Sequence, residues 1–151
     1  MRNLARSIVL LLALGLSEPV LAGPLEDANA AYLKQDYTTA LRLYRQLADQ
    51  GNAGAQNRLG VMYELGRGVP QDYAQAAKWY RLAADQGDAR AQFNLGGMYY
   101  RGQGVPKDNA QAAKWFRPAA DQGYAGAQNN LGLLYEFGHG VPQDYAQAVK
   151  W

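Results

Sequence analysis

The chain has 151 residues, with 15 lysines and arginines set against 13 aspartates and glutamates. This nearly balanced charge argues against a nucleic-acid-binding protein, because contact with phosphates usually requires a clustered excess of basic residues. The sequence contains no cysteine, so disulfides cannot stabilise the fold and packing must do so.

The first 22 residues have the pattern of a secretory signal peptide. A basic start from Met1 to Arg6 precedes an apolar run from Ser7 to Leu16 that is too short to span a bilayer, and small residues lead to a cut after Ala22. The pattern predicts a periplasmic or secreted protein with no stable membrane anchor after cleavage. A retained membrane anchor is the alternative interpretation.

Residues 23–50 predict an atypical hairpin of two helices at the start of an array. Pro24 to Gln35 can form one helix and Tyr37 to Gln50 the other, and the second helix matches Tyr73 to Gln86 in register. The glycine-rich loop of the later units is missing here. We therefore interpret this hairpin as a degenerate cap that covers the first face of the core.

A unit of 36 residues then repeats without a gap, as residues 51–86 and 87–122, with a third unit at 123–151 that is truncated in its second helix. In the first unit Ala55, Leu59 and Met62 recur at helical spacing. A glycine-rich loop follows at 66–72, and a second helix is expected from about Tyr73 to Asp85. The array predicts an all-α solenoid of antiparallel helix pairs.

Recurring residues lead to more specific expectations. Gly60 returns inside the first helix of the next two units as Gly96 and Gly132, which predicts a neighbour too close for a side chain. Asp72 is placed to cap the second helix, and Trp79 is expected to pack in the core.

Two positions depart from the pattern. Pro118 lies inside a second helix, where it removes a backbone donor, and we expect a kink there. The chain stops at Trp151, inside the second helix of the third unit. We expect either a fragment or an unfinished end that self-associates or meets a partner.

Together these residues resemble a known family. The spacing Ala-x-x-x-Leu-Gly-x-x-Tyr-x-x-Gly-x-Gly-Val-Pro-x-Asp, followed by Ala-x-x-Trp-Tyr/Phe-Arg-x-Ala-Ala-Asp-Gln-Gly, is similar to the Sel1-like repeat family, a relative of the tetratricopeptide repeats. The resemblance implies a right-handed superhelix of antiparallel helix pairs that serves as an adaptor, with no shared catalytic residues. Bacterial members are often exported and take part in envelope assembly, signalling or contact with host proteins.

Some cysteine-rich secreted relatives are associated with β-lactam binding or hydrolysis, so a hydrolase is one alternative function. The residues disfavour it, because the only serines are Ser7 and Ser17, inside the predicted signal peptide, and cysteine is absent. His139 is the single histidine and occupies a loop position that we interpret as solvated, so no metal site is expected. We expect no enzyme activity and no cofactor.

Positions that vary between the units concentrate on one arc of the first helix. By resemblance to tetratricopeptide repeats this arc lines a concave groove that binds a protein or peptide, with Phe93, Tyr100, Arg90 and Arg101 as an aromatic and cationic anchor. An ordinary solvated face is the alternative. The predicted groove residues are Asn57, Val61, Glu64, Arg90, Phe93, Tyr100, Arg101, Asn129, Leu133, Glu136 and Phe137.

The sequence therefore predicts an exported scaffold or adaptor for protein–protein interaction, with no nucleic-acid partner. A structural component of an envelope complex is the alternative. Such a component would self-associate or co-purify with a membrane complex, whereas an adaptor would be a soluble monomer that captures a specific partner.

Overall fold

The computed structural model describes residues 23–151, and the predicted signal peptide lies outside the described residues. This part of the chain is all-α and contains no strand. Its helices are α1 (Pro24–Leu33), α2 (Tyr37–Asp49), α3 (Ala53–Leu65), α4 (Tyr73–Asp85), α5 (Ala89–Arg101), α6 (Asn109–Asp121), α7 (Ala125–Phe137) and α8 (Tyr145–Lys150).

The helices form a solenoid in which the main contacts join consecutive helices. Three buried clusters make up the core: one is shared by α1, α2 and α3, the next by α4 and α5, and the third by α6 and α7. Each cluster after the first joins the second helix of one pair to the first helix of the next. Stability is therefore distributed over the junctions between units, as expected of a repeat protein.

Side-chain caps and glycines set the helix bounds. The Asp72 carboxylate accepts a hydrogen bond from the Gln75 backbone N–H at 3.0 Å, and Asp108 and Asp144 cap α6 and α8 in the same way. Gly66 ends α3 in the left-handed region with a φ of 65°. The predicted capping role of Asp72 and the predicted bounds of α4 are confirmed.

The recurring glycine of the first helix faces an aromatic ring. A methyl group on Gly60 would lie 2.5 Å from ring carbons of Tyr80, and one on Gly96 would lie 2.7 Å from ring carbons of Phe116. Both rings belong to the second helix of the same pair and are fully buried. The expected close approach is confirmed, and the neighbour at both glycines is an aromatic side chain.

Arginine–tyrosine pairs repeat along the stack. Arg45 donates a hydrogen bond to the Tyr63 hydroxyl at 2.6 Å. The equivalent pairs in later units are Arg81 with Tyr99 and Arg117 with Tyr135. Each pair joins a second helix to the first helix of the following unit, so the units are tied by hydrogen bonds as well as by apolar packing.

Some expectations need adjustment. Helix α1 ends at Leu33 rather than Gln35, because Gln35 adopts a positive φ of 62° that terminates the helix. Trp79 packs against the first core cluster but is only half-buried, whereas the next residue, Tyr80, is fully buried in the second core cluster. Helix α6 continues through Pro118 to Asp121, and the kink stays a prediction.

Candidate functional site

The junction between the first and second 36-residue units is closed by a polar triad. The Tyr80 hydroxyl of α4 donates a hydrogen bond of 2.5 Å to the Glu64 carboxylate of α3, and Arg101 of α5 lies 3.2 Å from the other carboxylate oxygen. Burial, together with the hydrogen bond to Glu64 and its negative charge, raises the pKa of the Tyr80 hydroxyl. Tyr80 therefore remains a hydrogen-bond donor, and its hydroxyl is satisfied within the protein.

The equivalent buried tyrosine one unit earlier also donates a hydrogen bond, to a different acceptor. Tyr44 of α2 is the counterpart of Tyr80, and its hydroxyl donates a hydrogen bond of 2.8 Å to the Asn29 side-chain oxygen of α1. In both cases a buried tyrosine of the second helix meets an acceptor on the first helix of the same pair, as buried hydroxyls generally require.

The junction between the second and third units replaces all three members of the triad. Phe116 stands at the position of Tyr80, Tyr100 at that of Glu64 and Phe137 at that of Arg101. A cavity of about 340 Å³ opens there between α5, α6 and α7. We call it the interunit cleft; it is lined by Tyr100, Phe116, Asn130, Leu133, Leu134, Phe137 and His139.

The interunit cleft has a buried apolar floor and an exposed aromatic rim. Phe116 is 1% exposed and forms the floor with buried Leu134, whereas Tyr100 and Phe137 at the rim are 44% and 59% exposed. The His139 ring lies 5.9 Å from the Phe137 ring, centroid to centroid. The volume of the interunit cleft is at the lower end of the range of about 300–1,000 Å³ that is usual for ligand pockets.

Positive charge lies beside the rim. The Lys107 ammonium group is 6.0 Å from the centroid of the Tyr100 ring. In the first and third units the equivalent residues are Gln71 and Gln143, whose amides donate to the backbone carbonyls of Glu64 and Glu136 at 2.8 Å. None of the residues that line the cleft carries a carboxylate.

Three of the predicted groove residues, Tyr100, Leu133 and Phe137, line the interunit cleft. They come from α5 and α7, the first helices of two consecutive pairs. The structure therefore brings together three predicted residues from the second and third units, whereas the other predicted groove residues do not line the cleft.

Three other predicted residues lie inside a junction instead. Asn57 is only 3% exposed, and its side-chain oxygen accepts a hydrogen bond of 3.1 Å from Asn94 of the next unit. Val61 is half-buried against the second core cluster, and Glu64 is held by Tyr80 and Arg101. Asn57 is thus not offered to a partner, because α5 stacks over it.

The rest of the predicted anchor also has internal partners. Phe93 is half-buried, with its ring centroid 5.0 Å from that of Tyr124 and 5.8 Å from that of Phe116. Arg90 is exposed and forms a salt bridge of 3.0 Å with Asp88. Truncating Phe93 would loosen the packing of the third unit, so it is a poor probe of binding.

A shallower hollow of about 230 Å³ lies on the other side of Leu133. It contains the predicted residues Asn129 and Glu136, together with Ala148 of α8 and Trp151. Its lining is more polar than that of the interunit cleft, and Leu133 separates the two.

Sequence reasoning missed Phe116, Asn130, Leu134 and His139 as lining residues. His139 is an exposed loop residue, as expected, and its ring also flanks the cleft. One sequence signal could have indicated the cleft, because three equivalent positions differ together between the two junctions. Tyr80, Glu64 and Arg101 at the first junction correspond to Phe116, Tyr100 and Phe137 at the second.

Within residues 23–151 no three histidine, cysteine, aspartate or glutamate side chains cluster as metal ligands would. Across the same residues no helix combines the length and the apolar character needed to cross a membrane.

The model of the Sel1 repeat family matches residues 28–52, 53–88, 89–124 and 125–151. Among curated proteins, no match was found. The family units begin two residues later than the units read from the sequence, in phase with the starts of α3, α5 and α7.

Several solved structures are similar. A protective antigen, c5321, present in uropathogenic Escherichia coli strains and displaying an SLR fold, is 44% identical over 85% of this chain, with a TM-score of 0.81. A Sel1 repeat protein from Oxalobacter formigenes is 37% identical over 84% of this chain, with the same TM-score. The chain spans 28% and 52% of these proteins. Cysteine rich protein B of Helicobacter pylori, 24% identical with a TM-score of 0.57, shares the fold over 68% of this chain and 93% of its own.

Proposed function

The chain belongs to the Sel1 repeat family, and from that premise we propose that it is an exported adaptor that binds a peptide segment of a partner protein. Members of the family are commonly scaffolds for protein–protein interaction. The observation that carries the proposal is the interunit cleft, because a preformed apolar cavity with exposed aromatic side chains at its rim is typical of a binding site.

Binding fits the chemistry of the cleft better than catalysis does. The lining offers a tyrosine hydroxyl, an amide and one imidazole, but it has no serine, no cysteine and no carboxylate. An activated nucleophile needs a base within hydrogen-bond reach, held in place by a third group. The function is therefore that of a non-enzymatic adaptor.

Export is supported by the N-terminal pattern alone. The basic start, the short apolar run and the small residues before Gly23 are those of a cleavable secretory signal. On this proposal the protein meets its partner in the periplasm or outside the cell.

A random peptide library displayed on phage tests the adaptor function. We expect the purified protein to enrich a restricted set of peptides, because an apolar cavity beside fixed charge selects both side-chain size and sign. Synthetic copies of these peptides should bind with dissociation constants in the micromolar range, which corresponds to a binding free energy on the order of −8 kcal/mol. Fluorescence polarisation is the measurement.

Two controls accompany the selection. Leu82→Ser changes an exposed residue of α4 that does not line the cleft, and it should leave binding of the enriched peptides unchanged. Failure to enrich any peptide above a support without protein would contradict the adaptor proposal.

A further inference from the structure

We propose that the interunit cleft receives one bulky apolar side chain of the partner's peptide, with an acidic residue beside it in that peptide facing Lys107. This inference rests on the proposed adaptor function and specifies the chemistry of the segment that is bound. Three features support it: the size of the cleft, its apolar floor and the charge at its rim.

The cleft is large enough for a side chain and too small for an extensive ligand. Its volume of about 340 Å³ lies between the buried ring of Phe116 and the exposed rings of Tyr100 and Phe137. Burial of a large apolar side chain on such a floor removes both surfaces from water, which is the main source of affinity in small pockets.

The preceding junction shows why the occupant is apolar. There the equivalent space holds the Glu64 carboxylate, which is stabilised by the Tyr80 hydroxyl and the Arg101 guanidinium. In the interunit cleft those donors are replaced by Phe116 and Phe137. A charged or polar side chain that reaches the floor formed by Phe116 and Leu134 would lose its hydration without gaining equivalent hydrogen bonds there.

The charge beside the rim indicates the neighbouring residue of the peptide. The guanidinium group of Arg101 already forms a salt bridge of 3.2 Å with the Glu64 carboxylate. Lys107 lies over the Tyr100 ring instead, and the cleft lining has no carboxylate to oppose it. A carboxylate of the peptide next to the inserted side chain would therefore complete the charge complementarity at this position.

Four capped, fluorescein-labelled heptapeptides test the inference. They carry a central phenylalanine or serine, flanked on both sides by aspartate or by lysine. By fluorescence polarisation with the native protein, we expect the phenylalanine–aspartate peptide to bind about tenfold more tightly than the serine–aspartate peptide. It should bind about two- to fivefold more tightly than the phenylalanine–lysine peptide, and this second ratio should shrink at high salt.

Two variants use residues that the chain already contains at equivalent positions. The triple variant Tyr100→Glu, Phe116→Tyr and Phe137→Arg copies the polar triad of the first junction into the cleft. Because the same set packs between the first and second units, it should fold, as circular dichroism can verify. We expect it to lose the preference for phenylalanine over serine.

Lys107→Gln is the matched charge variant, since glutamine stands at this position in the first and third units. We expect it to keep the preference for phenylalanine and to lose the preference for aspartate flanks. The two halves of the inference are thus measured separately, one with each variant.

Equal binding of the phenylalanine and serine peptides to the native protein would overturn the inference, as would an unchanged preference in the triple variant. A flank preference that survives Lys107→Gln would overturn its acidic half. If phage-selected peptides bind the native and triple-variant proteins equally, the adaptor function stands and this inference fails. If no peptide is selected and none of the four binds, both fail.

Discussion

Replacing Gly104 with alanine is expected to lower the free energy of unfolding by about 2–5 kcal/mol. The loss has two causes, backbone strain at this position and a steric overlap with the neighbouring unit. Gly104 has a φ of 69°, a conformation that alanine adopts only at a cost. A methyl group there would also overlap the backbone carbonyl of Tyr73, at the start of α4 in the preceding unit. The long loop of one unit therefore rests directly on the helix of its neighbour.

Gly87→Ala is the matched control for this prediction. Gly87 has a similarly positive φ of 91°, but a methyl group there would meet no atom within 4 Å. This variant should lose only the strain component, about 1–2 kcal/mol. Urea unfolding followed by circular dichroism measures both variants. Equal losses would show that contact between the loop and α4 contributes nothing to stacking.

Gly96→Ala is expected to destabilise the protein by about 1–3 kcal/mol through overpacking, although alanine is the better helix former by about 1 kcal/mol. The added methyl group would lie 2.7 Å from the ring of Phe116 and 3.2 Å from the Ala112 carbonyl oxygen. The ring is buried and borders the interunit cleft, so a shift that relieves the overlap would move it toward the cleft. Because Phe116 is the floor of the interunit cleft, the same variant should weaken peptide binding.

The adjacent residue provides the comparison. Gly97 is also buried in α5, but a methyl group there would approach only the guanidinium end of Arg101, at 2.9 Å. That flexible end can move away, so Gly97→Ala should be neutral or stabilising by up to about 1 kcal/mol. A loss of stability similar to that of Gly96→Ala would mean that glycine is required along α5 for a reason other than the Phe116 ring.

Much of the fold was predictable because each unit repeats its own local signals. Asp72 and its counterparts recur where a helix begins, and Gly66 and its counterparts recur where one ends. The position of Gly60 even predicted a close neighbour. The bounds of α1 were less accurate, because the first hairpin lacks the glycine loop and ends α1 through a positive φ at Gln35.

The binding surface was harder to predict, because variation between units does not by itself mean exposure. Glu64 differs from Tyr100 of the second unit, and Arg101 from Phe137 of the third. Glu64 and Arg101 nevertheless bond to each other across a junction, 37 residues apart in sequence. Asn57 is likewise covered by the next unit. The cleft arises only when Tyr100, Phe116 and Phe137 change together on three different helices, and helical periodicity within one helix carries no information on that combination.

Methyl NMR with labelled leucines tests the central claim, that the interunit cleft is where a partner peptide binds. On titration of the phenylalanine–aspartate peptide, we predict that the resonances of Leu133 and Leu134, which line the cleft, shift in proportion to occupancy. Those of Leu59 in the first core cluster and of exposed Leu82 on α4 should stay in place. Saturable binding that leaves Leu133 and Leu134 unmoved, or that shifts Leu82 instead, would contradict the account.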